Sequence, residues 1–303
     1  MNDFFGELAK QLAGRWLSLL AIPGVLFLAA GWAGLQLGQH NALDPHQLAG
    51  AVRTGAAEIA SRPAGTQILA AVGVLLAAVI VGLIVQALVG PVRTFCLGVW
   101  PGPLRRLGRL LTSRRRHHWK DLHSERAALE KVHPQPDRTT EQQRRIDDLT
   151  GRTNKIAMAE PARPTWMGDR IHALSDVAIH RHGLDMAFGW PRLWLVLPDS
   201  ARAEINSTQG GLATDLFTVA WALPYLALGA LWWPAAAIGV VIGLVGWSRA
   251  RSRITVLTEL AESALDVHGR DLAIIFGVAD PTSTGPLTPD EGKQITEIAR
   301  KGR

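Results

Sequence analysis

Four uncharged apolar runs alternate with polar stretches along the 303-residue chain. The first, Trp16 to Gly38, and the second, Ile68 to Gly90, hold 23 residues each. As helices they reach about 35 Å, enough for a hydrocarbon layer of about 30 Å. The third, Leu216 to Trp233, and the fourth, Ala235 to Ser248, are divided by the tight turn Trp232-Trp233-Pro234. The fourth is short. It must gain length from Arg249, Arg251 and Arg253 snorkelling to the surface; a re-entrant hairpin is the competing reading. The pattern predicts an all-α fold, a four-helix integral membrane protein of two transmembrane hairpins with a helical cytoplasmic region. Its segments are a cytoplasmic N-terminus (1–15), a first hairpin (16–90) with extracytoplasmic loop 39–67, a cytoplasmic middle (91–211), a second hairpin (212–248) and a cytoplasmic tail (249–303).

The polar stretches carry their own periodicity. An amphipathic start places Phe4, Phe5, Leu8 and Leu12 on one side, with Lys10 and Arg15 near the membrane. In the first loop Asp44 reads as an N-cap, with Pro45 at the first position of a short surface helix to about Ser61. Pro91 is expected to break the second span. Beyond it, Leu104, Leu107 and Leu111 repeat at helical spacing among Arg105, Arg106, Arg109, Arg114, Arg115 and Arg116. A basic helix with one apolar face beside a span suits the headgroup layer; an ordinary cationic anchor with no lipid preference is the plainer reading. Helices are expected over Trp119–Val132, ended at Pro134-Gln135-Pro136, and over Thr140–Ile156, interrupted near Gly151. Leu122, Leu129, Val132, Ile146 and Leu149 suffice for one packed seam. A helix from Pro164 runs to about His182 and stops at Gly183. Residues 184–198, with Trp190, Pro191, Arg192 and Trp194, are too short and polar to span. They lie at the interface or form a buried amphipathic helix of a small cytoplasmic domain. Ile254 to Phe276 is amphipathic and expected to fold back on 164–198. Thr288 with Glu291 forms a capping box opening a short exposed helix, Pro289 to Lys301.

Composition sharpens the membrane reading. Hydrophobic residues make up 48% and the mean hydropathy is +0.11, a value that needs long apolar segments. Eleven Trp against one Tyr favour membrane–water boundaries. The formal charge is +6, and its distribution sets orientation. Of 32 Lys and Arg, the loop 39–67 holds two, Arg53 and Arg62, and the turn at 232–234 holds none. The remaining thirty fall on what four spans make a single side. The positive-inside rule then puts both termini and the middle segment in the cytoplasm of a plasma-membrane protein. Nucleic acid is a poor partner for the charged segment 119–157, because Glu125, Glu130, Asp137, Glu141, Asp147 and Asp148 offset its cations and aromatic residues are not interleaved among them.

Candidate chemistry is sparse. The single cysteine, Cys96, forbids an internal disulfide and reads as a small apolar residue rather than an acylation site. The first run is too long for a signal peptide and lacks a small-residue cleavage site. His117, His118, His123, His172, His180 and His182 invite a metal, but their spacing converges poorly on one ion. No P-loop, GxSxG, HExxH or dinucleotide fingerprint occurs. Asp215, at the mouth of the third run, marks an ion or proton route or, more plainly, caps a helix N-terminus. Ala235, Gly239 and Gly243, four apart, let helices approach closely within one chain or between copies.

The stretches PTWMGDRI (164–171), HGLDMAFGWPRLWLVLPD (182–199) and LTELAESALDVHGRDLAIIFG (257–277) resemble a recurring pattern in uncharacterised actinobacterial multi-pass membrane proteins. The resemblance implies a membrane setting and no catalytic residues. The expectation is therefore a non-enzymatic module without cofactor or metal. Its basic helix (Arg105, Arg106, Arg109, Arg114–Arg116) and Trp190–Trp194 patch would bind anionic headgroups or a protein partner, with homo-oligomers open. The alternative is a channel or pore-forming effector gated by its cytoplasmic region.

Overall fold

The computed structural model describes residues 21–135 and 138–300. The amphipathic start and residues 16–20 of the first run lie outside them, as do Pro136 and Asp137. Among the described residues the chain is helical without strands. The α-helices are α1 (Ile22–Leu37), α2 (Pro45–Ala60), α3 (Ala64–Cys96), α4 (Arg105–Val132), α5 (Thr140–Ile156), α6 (Trp166–His182), α7 (Met186–Val196), α8 (Asp199–Leu228), α9 (Trp233–Ile275) and α10 (Pro289–Arg300). Three of them, α3, α8 and α9, are long and apolar enough to cross a membrane. Helix α1 is apolar but has 16 residues, about 24 Å of rise.

Several boundaries differ from the sequence reading. Pro91 does not end α3, which continues to Cys96. A proline costs one N–H and a clash with the preceding turn, but the helical bonds on either side persist, as is usual in long apolar helices. Likewise the fourth run and the amphipathic tail are one 43-residue helix, α9. No glycine or proline stands between Trp247 and His268, and the arginines there are good helix formers.

The chain divides into two units, 1–92 with 214–249, and 93–213 with 250–303. In the first, α1 meets α3 where Gly24 lies against the Ala78 backbone, leaving no room for a Cβ. Phe27 of α1 packs edge-on against Tyr225, with ring centroids 5.4 Å apart. The small-residue stripe of α9 faces α8 of the same chain. A Cβ on Gly239 would sit 2.9 Å from the Leu226 nitrogen, and one on Gly243 3.3 Å from the Ala222 Cβ. Ala235 is fully buried. Gly246 extends the stripe one turn further, against Val219. At the end of this unit Gln39 bridges two connections. Its amide donates to the Gly229 and Ala230 carbonyls (3.0 and 2.8 Å) and accepts from the Trp233 N–H (3.0 Å). The Trp232 indole donates to the Ala42 carbonyl at 2.9 Å. Only 17% of the apolar window of α3 is buried. A helix apolar all round and exposed suits a lipid solvent rather than water.

In the second unit α4 and α5 form an antiparallel pair along most of the expected seam, with Leu122, Ile146 and Leu149 buried and Leu129 half-buried, whereas Val132, at the end of α4, is exposed. Helix α4 is continuous from Arg105, so the basic segment and the helix expected at 119–132 are one element. Helix α5 runs unbroken through Gly151, which costs an exposed helix only about 1 kcal/mol. Its start is fixed by the reciprocal Thr139–Gln142 box. A second core gathers Leu184, Leu193, Ile205, Leu265, Leu272 and Ile295 from α6–α10 and their connections. Thr165 caps α6, and Gly183 ends it in the left-handed conformation (φ 67°). Helix α10 is not an exposed appendage. Its face of Gly292, Ile295 and Ala299 is buried.

Candidate functional site

The end of α3 and the first turns of α4 build an apolar elbow edged with cations. Trp100 stacks on Phe95 (centroids 4.7 Å, planes 5° apart) and its indole donates to the Phe95 carbonyl at 2.9 Å. Gly108 of α4 lies under the Trp100 ring. With Gly108 turned inward, helical geometry puts Leu104, Leu107 and Leu110 on one flank and Arg105, Arg106 and Arg109 on the other. All six are exposed, as are Phe95 and Val99.

The six candidate arginines do not act together. Arg105, Arg106, Arg109 and Arg114 face solvent. Arg115 turns inward and donates to the Arg163 and Ile156 carbonyls (2.9 and 2.8 Å). It also pairs with the buried Asp169 at 2.6 Å. Arg116 donates to the Pro161 carbonyl (3.1 Å) and, with Lys120, pairs with Glu160. The hydrogen bond from Lys120 holds the Glu160 carboxyl below the ordinary range. Trp119 donates to the Ala157 carbonyl at 3.0 Å. These side chains pin the connection 157–165 onto α4 and are structural. Asp169 also accepts the Ala162 and Arg163 N–H groups (2.8 and 2.6 Å). Burial pushes its carboxyl up, and these donors only partly offset that.

The Trp/Arg patch on α7 is also largely internal. Arg192 donates to the Phe188 carbonyl at 2.7 Å and the Ala299 carbonyl at 3.4 Å. Trp190 and Trp194, 6.1 Å apart, pack half-buried against the second core. Helix α7 buries Met186, Gly189 and Leu193. Pro191 sits within it, exposed on the open side with Ala187 and Leu195. No hydrogen bond or ion pair joins α7 to the α4 arginines among the described residues.

The remaining candidates are dispersed. Asp215 lies in the interior of α8, buried, so it is not an N-cap; the polar stretch before it is helical from Asp199. His117 and His118 are exposed, His123 stacks on Trp119, and His182 is buried 3.0 Å from Asp266. Among the described residues no three metal-ligating side chains converge. A shallow cleft beside Arg170, Thr258 and Glu262 offers little free polarity, because Arg170 already donates to Thr258 (3.0 Å) and Glu259 (3.2 Å).

No family model, curated protein or solved structure matches the chain.

Sequence reasoning missed the Arg115–Asp169 pair and the clasp over α10. In the clasp, Arg270 donates to the Gly285 and Pro286 carbonyls and pairs with Glu291. Burial works against ionising Glu291, but bonds from the Thr288 hydroxyl and N–H and from Arg270 prevail and hold it below the ordinary carboxylate range. A depressed carboxyl stabilises the fold above its unfolded value, near pH 4.3, and the contribution is lost as pH falls through the folded value. Glu291→Gln is therefore expected to lower stability at neutral pH by about 1–2 kcal/mol and to flatten the acid limb of the melting profile.

Proposed function

We propose that the chain is a non-enzymatic, four-span plasma-membrane protein whose α3–α4 elbow holds anionic lipid at the cytoplasmic surface. In this reading the first apolar run, which contains α1, is the first span, and α3, α8 and α9 are the others. The Gln39 and Trp232 bonds support it by tying the loop after α1 to the turn after α8, two connections that four spans put on one side. That side holds two of the 32 Lys and Arg, so both termini and the elbow fall in the cytoplasm.

One observation carries the lipid assignment: exposed Leu104, Leu107 and Leu110 share two turns with exposed Arg105, Arg106 and Arg109. Leucines left bare in water cost free energy. In the headgroup layer they enter the acyl boundary while the guanidiniums meet phosphate. Each cation is worth about 1 kcal/mol at an anionic surface. Replacing Arg105, Arg106 and Arg109 by Gln in the full chain should therefore lower co-purified anionic over zwitterionic lipid by about 100-fold. A fluorophore at Leu110→Cys, in anionic vesicles, should be shielded from aqueous iodide. Unchanged lipid enrichment together with a freely quenched probe would defeat the assignment.

A further inference from the structure

We infer that α2 is a second lipid-contacting element, lying flat in the headgroup–acyl boundary of the opposite leaflet. The inference rests on the membrane reading of the apolar helices, and not on the elbow. Helix α2 divides cleanly by helical position. Leu48, Ala51, Val52, Gly55, Ala56 and Ile59 share one face; Gln47, Arg53, Thr54 and Glu58 share the other. Only half of the apolar face is covered. Leu48, Ala51 and Gly55 are half-buried towards α1, with Gly55 beside the Trp32 ring. Val52 and Ile59 are 50% and 52% exposed, Ala56 is also exposed, and no residue of α2 is fully buried.

Three observations identify lipid as what covers the open half. The first is tethering. Seven residues separate α2 from α1 and three separate it from α3, so α2 cannot leave the ends of two apolar helices. The second is direction. The Gln47 amide donates to the Gln36 carbonyl, while Gly55 meets Trp32. Eight residues of α2 therefore pass as α1 is retraced by four, an oblique crossing rather than another upright span. The third is the company of tryptophans. Trp32 and Trp233 are partly exposed, and Trp232 donates to Ala42 just before α2. Indoles collect where lipid meets water. Charge sets the kind of surface. Asp44 and Glu58 balance Arg53 and Arg62 between residues 39 and 67, so insertion is driven by apolar area and requires no anionic lipid.

The test uses the full chain in vesicles with Val52→Cys, Ile59→Cys or Thr54→Cys, each carrying an environment-sensitive fluorophore. These positions are exposed, and the native Cys96 is buried. In purely zwitterionic vesicles, probes at 52 and 59 should be quenched by shallow nitroxide lipids and at least threefold less by iodide than the probe at 54. Equal iodide quenching at all three positions overturns the inference. So does efficient 52-to-52 disulfide cross-linking between copies, which would assign the face to a second chain. Because the elbow needs anionic lipid and α2 does not, the two readings fail separately.

Discussion

Arg115→Ala is expected to lower the stability of the chain in detergent by about 3–5 kcal/mol, the cost of leaving a buried charge without its partner. Asp169 is 4% exposed, and Arg115 supplies its ion pair while also satisfying two backbone carbonyls. Three acceptors lose their donor at once. Arg106→Ala, which removes an exposed cation from the same helix, should change stability by no more than about 0.5 kcal/mol. The double variant Arg115→Ala with Asp169→Ala should cost less than the two singles combined, because the orphaned carboxylate is gone. Acid gives a further signature. Burial holds the Asp169 carboxyl above its ordinary value even with Arg115 present. A raised carboxyl contributes most below the unfolded value, near pH 3.9, and that contribution is lost as pH rises through the folded value. Without Arg115 the carboxyl is pushed higher still, so the deficit of the variant should narrow on acidification. Thermal melts between pH 4 and 8 measure this. Hydrogen exchange at the Ala162 and Arg163 amides reports the same pair locally. A variant as stable as the parent would remove the pin from the account of this fold.

What could be read from the sequence was local. Asp44 before Pro45, Gly183 after α6 and the Thr288–Glu291 box all lie within a few residues of the helix ends they set. Such signals survive in a one-dimensional string because their partners are close along it. The seam of Leu122, Ile146 and Leu149 was legible for the same reason: its period is written along α4 and α5. Long-range partners were not. Nothing near Arg115 or Arg116 distinguishes them from Arg105, Arg106 or Arg109, and a count of basic residues pools all of them. Their separate fates depend on carbonyls at 156, 161 and 163, 41 to 48 residues away. Arg192 is the parallel case, because its acceptor at Ala299 is 107 residues on. Asp215 was misread as a cap because the apolar run begins there. Hydropathy marks where lipid could begin, whereas a helix needs only backbone bonds and tolerates the polar stretch from Asp199. Pro91 shows the reverse error, since a strong local breaker was outvoted by the helix on both sides.

The crossing of α6 and α10 should respond most severely to a single methyl group. Gly292→Ala would drive its Cβ into the His182 carbonyl, and Gly183→Ala would do the same at the Pro289 carbonyl. Both obstacles are backbone, so no side chain can rotate away and the helices themselves must separate. Gly183 adds a conformational cost, because its φ of 67° is unfavourable by about 1–2 kcal/mol for any residue with a Cβ. Separation would also break the exchange in which Thr296 donates to the Gly183 carbonyl (3.3 Å) and accepts from the Asp185 N–H (3.0 Å). It would withdraw Ile295 from the core as well. The sum places either variant above about 4 kcal/mol, in the exceptional tail for point changes. Gly285→Ala isolates the conformational part, since φ there is 98° and a Cβ meets open space. That variant should lose about 1–2 kcal/mol and keep α10 docked. Gly151→Ala, in an exposed stretch of α5 with nothing near its Cβ, should gain about 0.5–1 kcal/mol. Limited proteolysis and hydrogen exchange over residues 289–300 read out the four variants together. Release of α10 in the first two alone assigns the effect to backbone contact, whereas release in Gly285→Ala as well would assign it to backbone conformation in the connection before α10.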